Sequence, residues 1–176
     1  MNQSPSQTIE TLGEFLAHAL ELEHESAERY RELADSMEVH HNPETAELLR
    51  KLAEVSEDHA AEVGQRAEGV QMPEIPPWDF KWNCPGSPES ACMEGDISYL
   101  MNTRQTLELA LHNETRGRDF YAQVAASSPN QDVRRLAADM AEEETEHMDL
   151  LRRWAEHTSH QNSTPQEDLD PPNMPE

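Results

Sequence analysis

Basic side chains are scarce in this sequence: 13 Lys and Arg stand against 36 Asp and Glu, a formal charge of −23. A field of that sign repels nucleic acid and anionic membrane surfaces, so neither is expected as a partner. Its ordinary meaning is a solvated helical surface. Cysteine is nearly absent, 2 residues in 176. That excludes a disulfide framework and points to a reducing, cytoplasmic setting. No apolar run reaches the length of a membrane span. The opening residues, Met1 to Thr8, contain neither a basic nor a hydrophobic region, so no secretory signal is expected. Motifs for serine hydrolysis, phosphate loops or nucleotide binding are missing as well.

What the chain does contain is helix. Thr8 followed by Leu12, Phe15, Leu16, Ala19 and Leu22 at helical spacing predicts a helix over 8–37. Asn42-Pro43-Glu44, a capping side chain ahead of a first-turn proline, starts a second over 43–68 with Leu48, Leu49, Leu52, Val55, Ala60 and Val63 on its stripe. A third covers 99–126. The fourth, over 130–157, takes Asn130 as its cap and carries Leu136, Met140, Leu150, Leu151 and Trp154 on its inward face. Residues 69–98 differ in character, with Pro73, Pro76, Pro77, Pro85 and Pro88 among Trp78, Phe80 and Trp82. A segment so aromatic reads as an ordered crossover. The aromatic residues either pin it to the bundle or form a dimer contact. A helix of ~26 residues is about 39 Å long; the crossover can travel back along it, leaving helices 2 and 3 parallel. Residues 158–176, acidic and rich in proline, read as a disordered tail.

The sequence repeats itself. At an offset of 91, Ala19-Leu20, Glu23 and Tyr30 fall on Ala110-Leu111, Glu114 and Tyr121; at an offset of 88, Asn42, Ala53 and His59 fall on Asn130, Ala141 and His147. One helical hairpin is therefore used twice. Glu144 and His147, three apart, leave helix 4 on one face. Glu114 lies 15 residues before Pro129 and Glu144 lies 15 after it, so the two stand level; Glu23 and His59 lie 17 before and 19 after His40. Two such hairpins packed together bring Glu23, His59, Glu114, Glu144 and His147 to one depth. Inward carboxylates and imidazoles are costly unless paired, and a metal ion is their usual partner. One Glu from each of two helices with Glu-x-x-His from the others is the construction rule of di-metal carboxylate bundles.

Glu followed seven residues later by Tyr, with a Glu-x-x-His partner, repeated across a long crossover, resembles the rubrerythrin branch of the ferritin-like superfamily. The likeness covers both hairpins. It implies an all-α ferritin-like four-helix bundle and a non-haem site of two iron ions, manganese and zinc also suiting such ligands. It further implies chemistry toward peroxide, dioxygen or ferrous iron, or metal buffering without turnover, and a homodimer. Two departures stand out. Members with a rubredoxin module carry paired Cys-x-x-Cys motifs, whereas this chain has Cys84 and Cys92 alone. They read as free thiols, with a small-loop disulfide or redox pair as alternatives, and any reductant is an external electron donor protein. The residue three before His59 is Ser56, where the pattern expects a ligand Glu.

With Glu23, Glu114 and Glu144 against two ferrous ions, one positive charge is uncompensated. Three outcomes follow: hydroxide or an outside anion fills the place beside Ser56, Glu57 or Asp58 swings in, or one ion binds tightly at Glu114, Glu144 and His147. Tyr30 and Tyr121 lie two turns from Glu23 and Glu114. They are either core packing or hydrogen-bond partners that orient ligand carboxylates. His24 and His112 point away from the ligand face, and His18, His40, His41, His157 and His160 join no constellation.

Overall fold

The structure, a computed structural model, describes residues 8–82 and 100–158. Cys84, Cys92 and the expected tail beyond Thr158 lie outside the described residues. Four α-helices are described: α1 (Leu12–Val39), α2 (Pro43–Arg66), α3 (Thr103–Ser127) and α4 (Gln131–Thr158), with a 3-10 turn at Pro77–Asp79.

Side-chain caps explain where three of the four begin. Helix α1 starts at Thr11 rather than Thr8, because the Thr11 hydroxyl accepts from the Glu14 amide at 3.2 Å while Glu14 turns back to accept from the Glu10 amide at 3.1 Å. Helix α3 starts at Thr103, later than expected, because Asn102 and Gln105 form a reciprocal capping box, each backbone N–H bonded by the other's side chain at 3.0 Å. Asn130 caps α4 as the sequence indicates, accepting from Asp132 at 2.9 Å. Asn42 does something else. Its side chain makes no cap bond; it donates to the Met101 carbonyl at 2.6 Å, which also accepts from the Thr45 hydroxyl at 3.0 Å.

Those two bonds tie the start of α2 to the start of α3, so these helices run parallel, as the long crossover implies. Helices α1 and α2 form one antiparallel hairpin and α3 and α4 the other. The apolar core falls in two layers. Phe15, Leu16, Leu22, Val63, Tyr121, Val133 and Met140 fill one end; Leu33, Met37, Leu49, Leu52, Leu107 and Leu151 fill the other. Between them, at the same level of all four helices, lie buried polar residues: Glu23 and Ser26, Ser56, Asn113 and Glu114, and Glu144.

Three expected core residues are outside. Val55, Leu150 and Trp154 are 43%, 55% and 42% exposed. Two turns on from Glu144 is Leu151, which takes the inward place; Leu150 is rotated about 100° away. No described helix is long and apolar enough to cross a membrane.

The described first part of the crossover is pinned to α1, and His18 is the pin. Its Nδ1 donates to the Glu14 carbonyl at 2.8 Å, and its Nε2 accepts from the Lys81 backbone N–H at 2.9 Å. Phe80 and Trp82 pack edge-on to its ring at 5.0 and 5.1 Å, and Phe120 stacks beneath. Thus Phe80 and Trp82 hold the crossover, whereas Trp78 is 81% exposed and does not. Lys81 pairs with Glu14 and donates to the Thr8 carbonyl at 2.7 Å. At Gly13 the chain passes so near that an added Cβ would strike the Gln71 carbonyl.

Candidate metal centre

The polar layer exists because α1, α2 and α3 each place one acidic or imidazole side chain on the inward face at mid-height, Glu23, His59 and Glu114, and α4 places two, Glu144 and His147. All five sequence-predicted ligands arrive there. Glu23 of α1 lies with its Oε2 3.5 Å from His59 Nδ1 of α2. In the second hairpin, His147 Nδ1 lies 3.2 Å from Glu144 Oε2 and 3.5 Å from Glu114 Oε2. The imidazoles of His59 and His147 then stack across the hairpin interface, centroids 4.2 Å apart and planes 9° from parallel. The two half-sets therefore face one another through their histidines.

Glu23, Glu114 and Glu144 are buried, while His59 and His147 keep part of one edge open to solvent. Burial of three carboxylates without a counter-ion has a price in ionisation. Burial raises Glu144 well above its ordinary value against the pull of His147, and Glu114 and Glu23 raise it further. Burial raises Glu23 as well, opposed by His59. At Glu114 burial acts upward too, but His147 and Glu144 outweigh it and its carboxyl stays low. His147, which burial alone would lower, is carried up to about 10 by Glu114 and Glu144. The carboxylates and His147 thus balance part of their charge against one another.

The donor set suits a divalent cation. Glu114, Glu144 and His147 offer one atom each within 4.8 Å of one another. Glu114 Oε2 is buried without a hydrogen-bond partner, the mark of a lone pair waiting for an electrophile. Imidazole nitrogen with carboxylate oxygen is a donor chemistry shared by iron, manganese and zinc.

Ser56 faces the same layer, 5% exposed, and its neighbours do not replace the missing carboxylate. Glu57 is turned outward in an ion pair with Arg31, and Asp58 is exposed. Tyr30 is buried and its hydroxyl accepts from Asn113 Nδ2 at 3.2 Å, joining α1 to α3 beside Glu114. Tyr121 is fully buried and packs edge-on to Phe15 at 6.0 Å. His24 and His112 are exposed, as their helix positions indicate.

Some residues of the layer carry no obvious signal in the sequence. Asn113 reads as an ordinary polar residue until its amide is seen on Tyr30. Ser26 and Gly117 are buried one turn after Glu23 and Glu114, and the offset of 91 that aligns the glutamates aligns this small pair too. That coincidence was the available clue.

Comparison with known proteins agrees with this geometry. The sequence profile of the rubrerythrin family matches residues 14–75 and 105–171. No curated protein matches significantly. A crystal structure of an uncharacterized conserved protein from Magnetospirillum magnetotacticum MS-1 is similar, at 44% identity over 88% of this chain and 99% of that one, with a TM-score of 0.62. Two hairpins, a buried layer of three glutamates and two histidines, and a profile match through both halves lead to one conclusion: this chain belongs to the rubrerythrin family of the ferritin-like superfamily.

Proposed function

We propose that the protein is a non-haem di-metal carboxylate protein, with iron as its metal. Glu23, Glu114 and Glu144 serve as carboxylate ligands and His59 and His147 as nitrogen ligands. The observation that carries this reading is the stacked pair of imidazoles, each with its Nδ1 turned to a buried carboxylate of its own hairpin. A purely structural core would bury apolar side chains there at lower cost.

Bound iron would supply electron transfer to peroxide or dioxygen, or the oxidation of further ferrous iron. The chain's own part is to hold the ligands at fixed depth between two apolar layers and to limit water. It also gives up protons, since Glu144 and His147 must deprotonate to bind a cation. Electrons for repeated turnover come from a separate donor protein.

The test is anaerobic loading with ferrous iron, metal analysis, and addition of stoichiometric peroxide. Two ions per chain and an optical change on peroxide addition are expected; a chain that binds no metal removes the reading. Ser56 and the compact Glu114–Glu144–His147 group favour a second reading, one ion held without turnover. A stoichiometry of one with no response to peroxide selects it.

A further inference from the structure

The five groups of the centre do not close the bundle completely. A cavity of about 80 Å³ opens along the seam between α2 and α4. Buried Glu23 and Glu144, with His59 and His147, form its inner wall; Glu62, Arg66 and Glu143 lie at its more exposed rim. The volume suits a few water molecules, enough to carry a small solute inward once the rim parts.

The rim is spanned by one device. Arg66 of α2 donates to Glu143 of α4 through both arms of its guanidinium, Nη1 to Oε2 at 3.0 Å and Nη2 to Oε1 at 2.5 Å. The pair joins the two helices across the opening, and both partners are partly exposed, 30% and 42%. A planar two-armed contact of this kind holds geometry as well as charge. The repeat underlines its location. At an offset of 88, Glu143 corresponds to Val55 and Arg66 to Trp154; the equivalent positions on the other side of the histidine pair are apolar and exposed.

We propose that the Arg66–Glu143 pair is the gate through which the centre exchanges its divalent cations, an inference that rests on the metal reading above. Closed, the guanidinium meets an approaching cation with like charge. Open, Glu143 and the neighbouring Glu62 are the first carboxylates the cation encounters, one helical turn above His59 and His147. The equilibrium content of the centre is set by its ligands; the gate sets only how quickly ions enter and leave.

Cobalt(II) is a suitable probe, because its visible spectrum reports binding without redox chemistry. The full chain is loaded with cobalt(II), and its loss to excess chelator is followed by stopped-flow absorbance. Arg66→Met and Glu143→Gln are each expected to release cobalt about fivefold faster with the same stoichiometry as wild type. The double variant Arg66→Glu/Glu143→Arg, which rebuilds the pair in reverse, returns the rate toward wild type, and Arg29→Met, which removes the α1 surface pair with Glu32, leaves it unchanged. Wild-type release rates in both single variants would overturn the gate while leaving the metal centre standing. Failure of wild type to bind cobalt would overturn both.

Discussion

The two hairpins were built on one pattern, and three of their differences bear on the centre and its surroundings. At the centre, α4 offers Glu144 where α2 offers Ser56. Near the start of the first helix, Gly13 and His18 stand where the third has Arg104 and Leu109. Along the seam, Arg66 and Glu143 stand where the repeat has Trp154 and Val55. Each difference gives a separate task to one copy. The second hairpin brings three candidate ligands, Glu114, Glu144 and His147, together by itself, whereas the first contributes Glu23 and His59 and receives the crossover. Duplication sets the depth at which these carboxylates and imidazoles meet; on the proposed metal reading, divergence makes the second half the firmer holder of an ion.

The largest effect is expected from treating the equivalent positions alike. Glu144→Ala should weaken divalent metal binding by more than about 100-fold, while Ser56→Ala changes it by less than about twofold, as read by isothermal titration calorimetry with manganese(II). Equal losses would make the hairpins equivalent after all. Next comes the crossover. Gly13→Ala drives a methyl into the Gln71 carbonyl and should cost about 1–3 kcal/mol, seen as a Tm several degrees lower. Arg104→Ala, at the matching exposed position, should stay within about 0.5 kcal/mol.

Ser56→Glu sharpens the same comparison from the other side. A carboxylate restored there should tighten the weaker ion roughly tenfold and bring the two binding events together in the titration. An unchanged second event would mean that the Ser56 position does not face the ion.

The smallest effect is a pH dependence confined to the first hairpin. Burial holds His18 below its ordinary value of 6.5, against the bond to Glu14. As pH falls, the unfolded chain therefore takes up this proton first. The stability linked to His18 is full above about pH 6.5 and is lost as pH drops through the lower folded value. In urea unfolding curves between pH 7.5 and pH 5, His18→Leu should flatten that part of the slope. A slope unaltered by the substitution would assign it to other groups.

Much of this was legible in the sequence, for identifiable reasons. Helical spacing, proline at the start of α2 and the Asn130 cap are local signals, and local signals fixed the four helices to within a few residues. The site was readable because duplication turned short motifs into a register: Glu23 and Glu114, His59 and His147 could be placed level by counting from the two turns. What escaped depended on contacts between distant segments. Thr8 and Thr11 are both adequate caps, and only Glu14 bonding back to Glu10 separates them. Asn42 looked like a cap because nothing nearby reveals Met101, 59 positions away. His18 joined no constellation in one dimension because its partners, Lys81 and Phe120, come from the crossover and from α3. Leu150 and Trp154 were assigned inward from hydrophobicity, although the helical phase set by Glu144 and Leu151 leaves them outside.

The unequal centre is tested most directly by anaerobic titration of the metal-free full chain with ferrous iron, wild type beside Glu144→Ala. The account predicts two ions per wild-type chain, the first bound more tightly than the second, and loss of the tight event in the variant. A single event, or an affinity unchanged by Glu144→Ala, would contradict it.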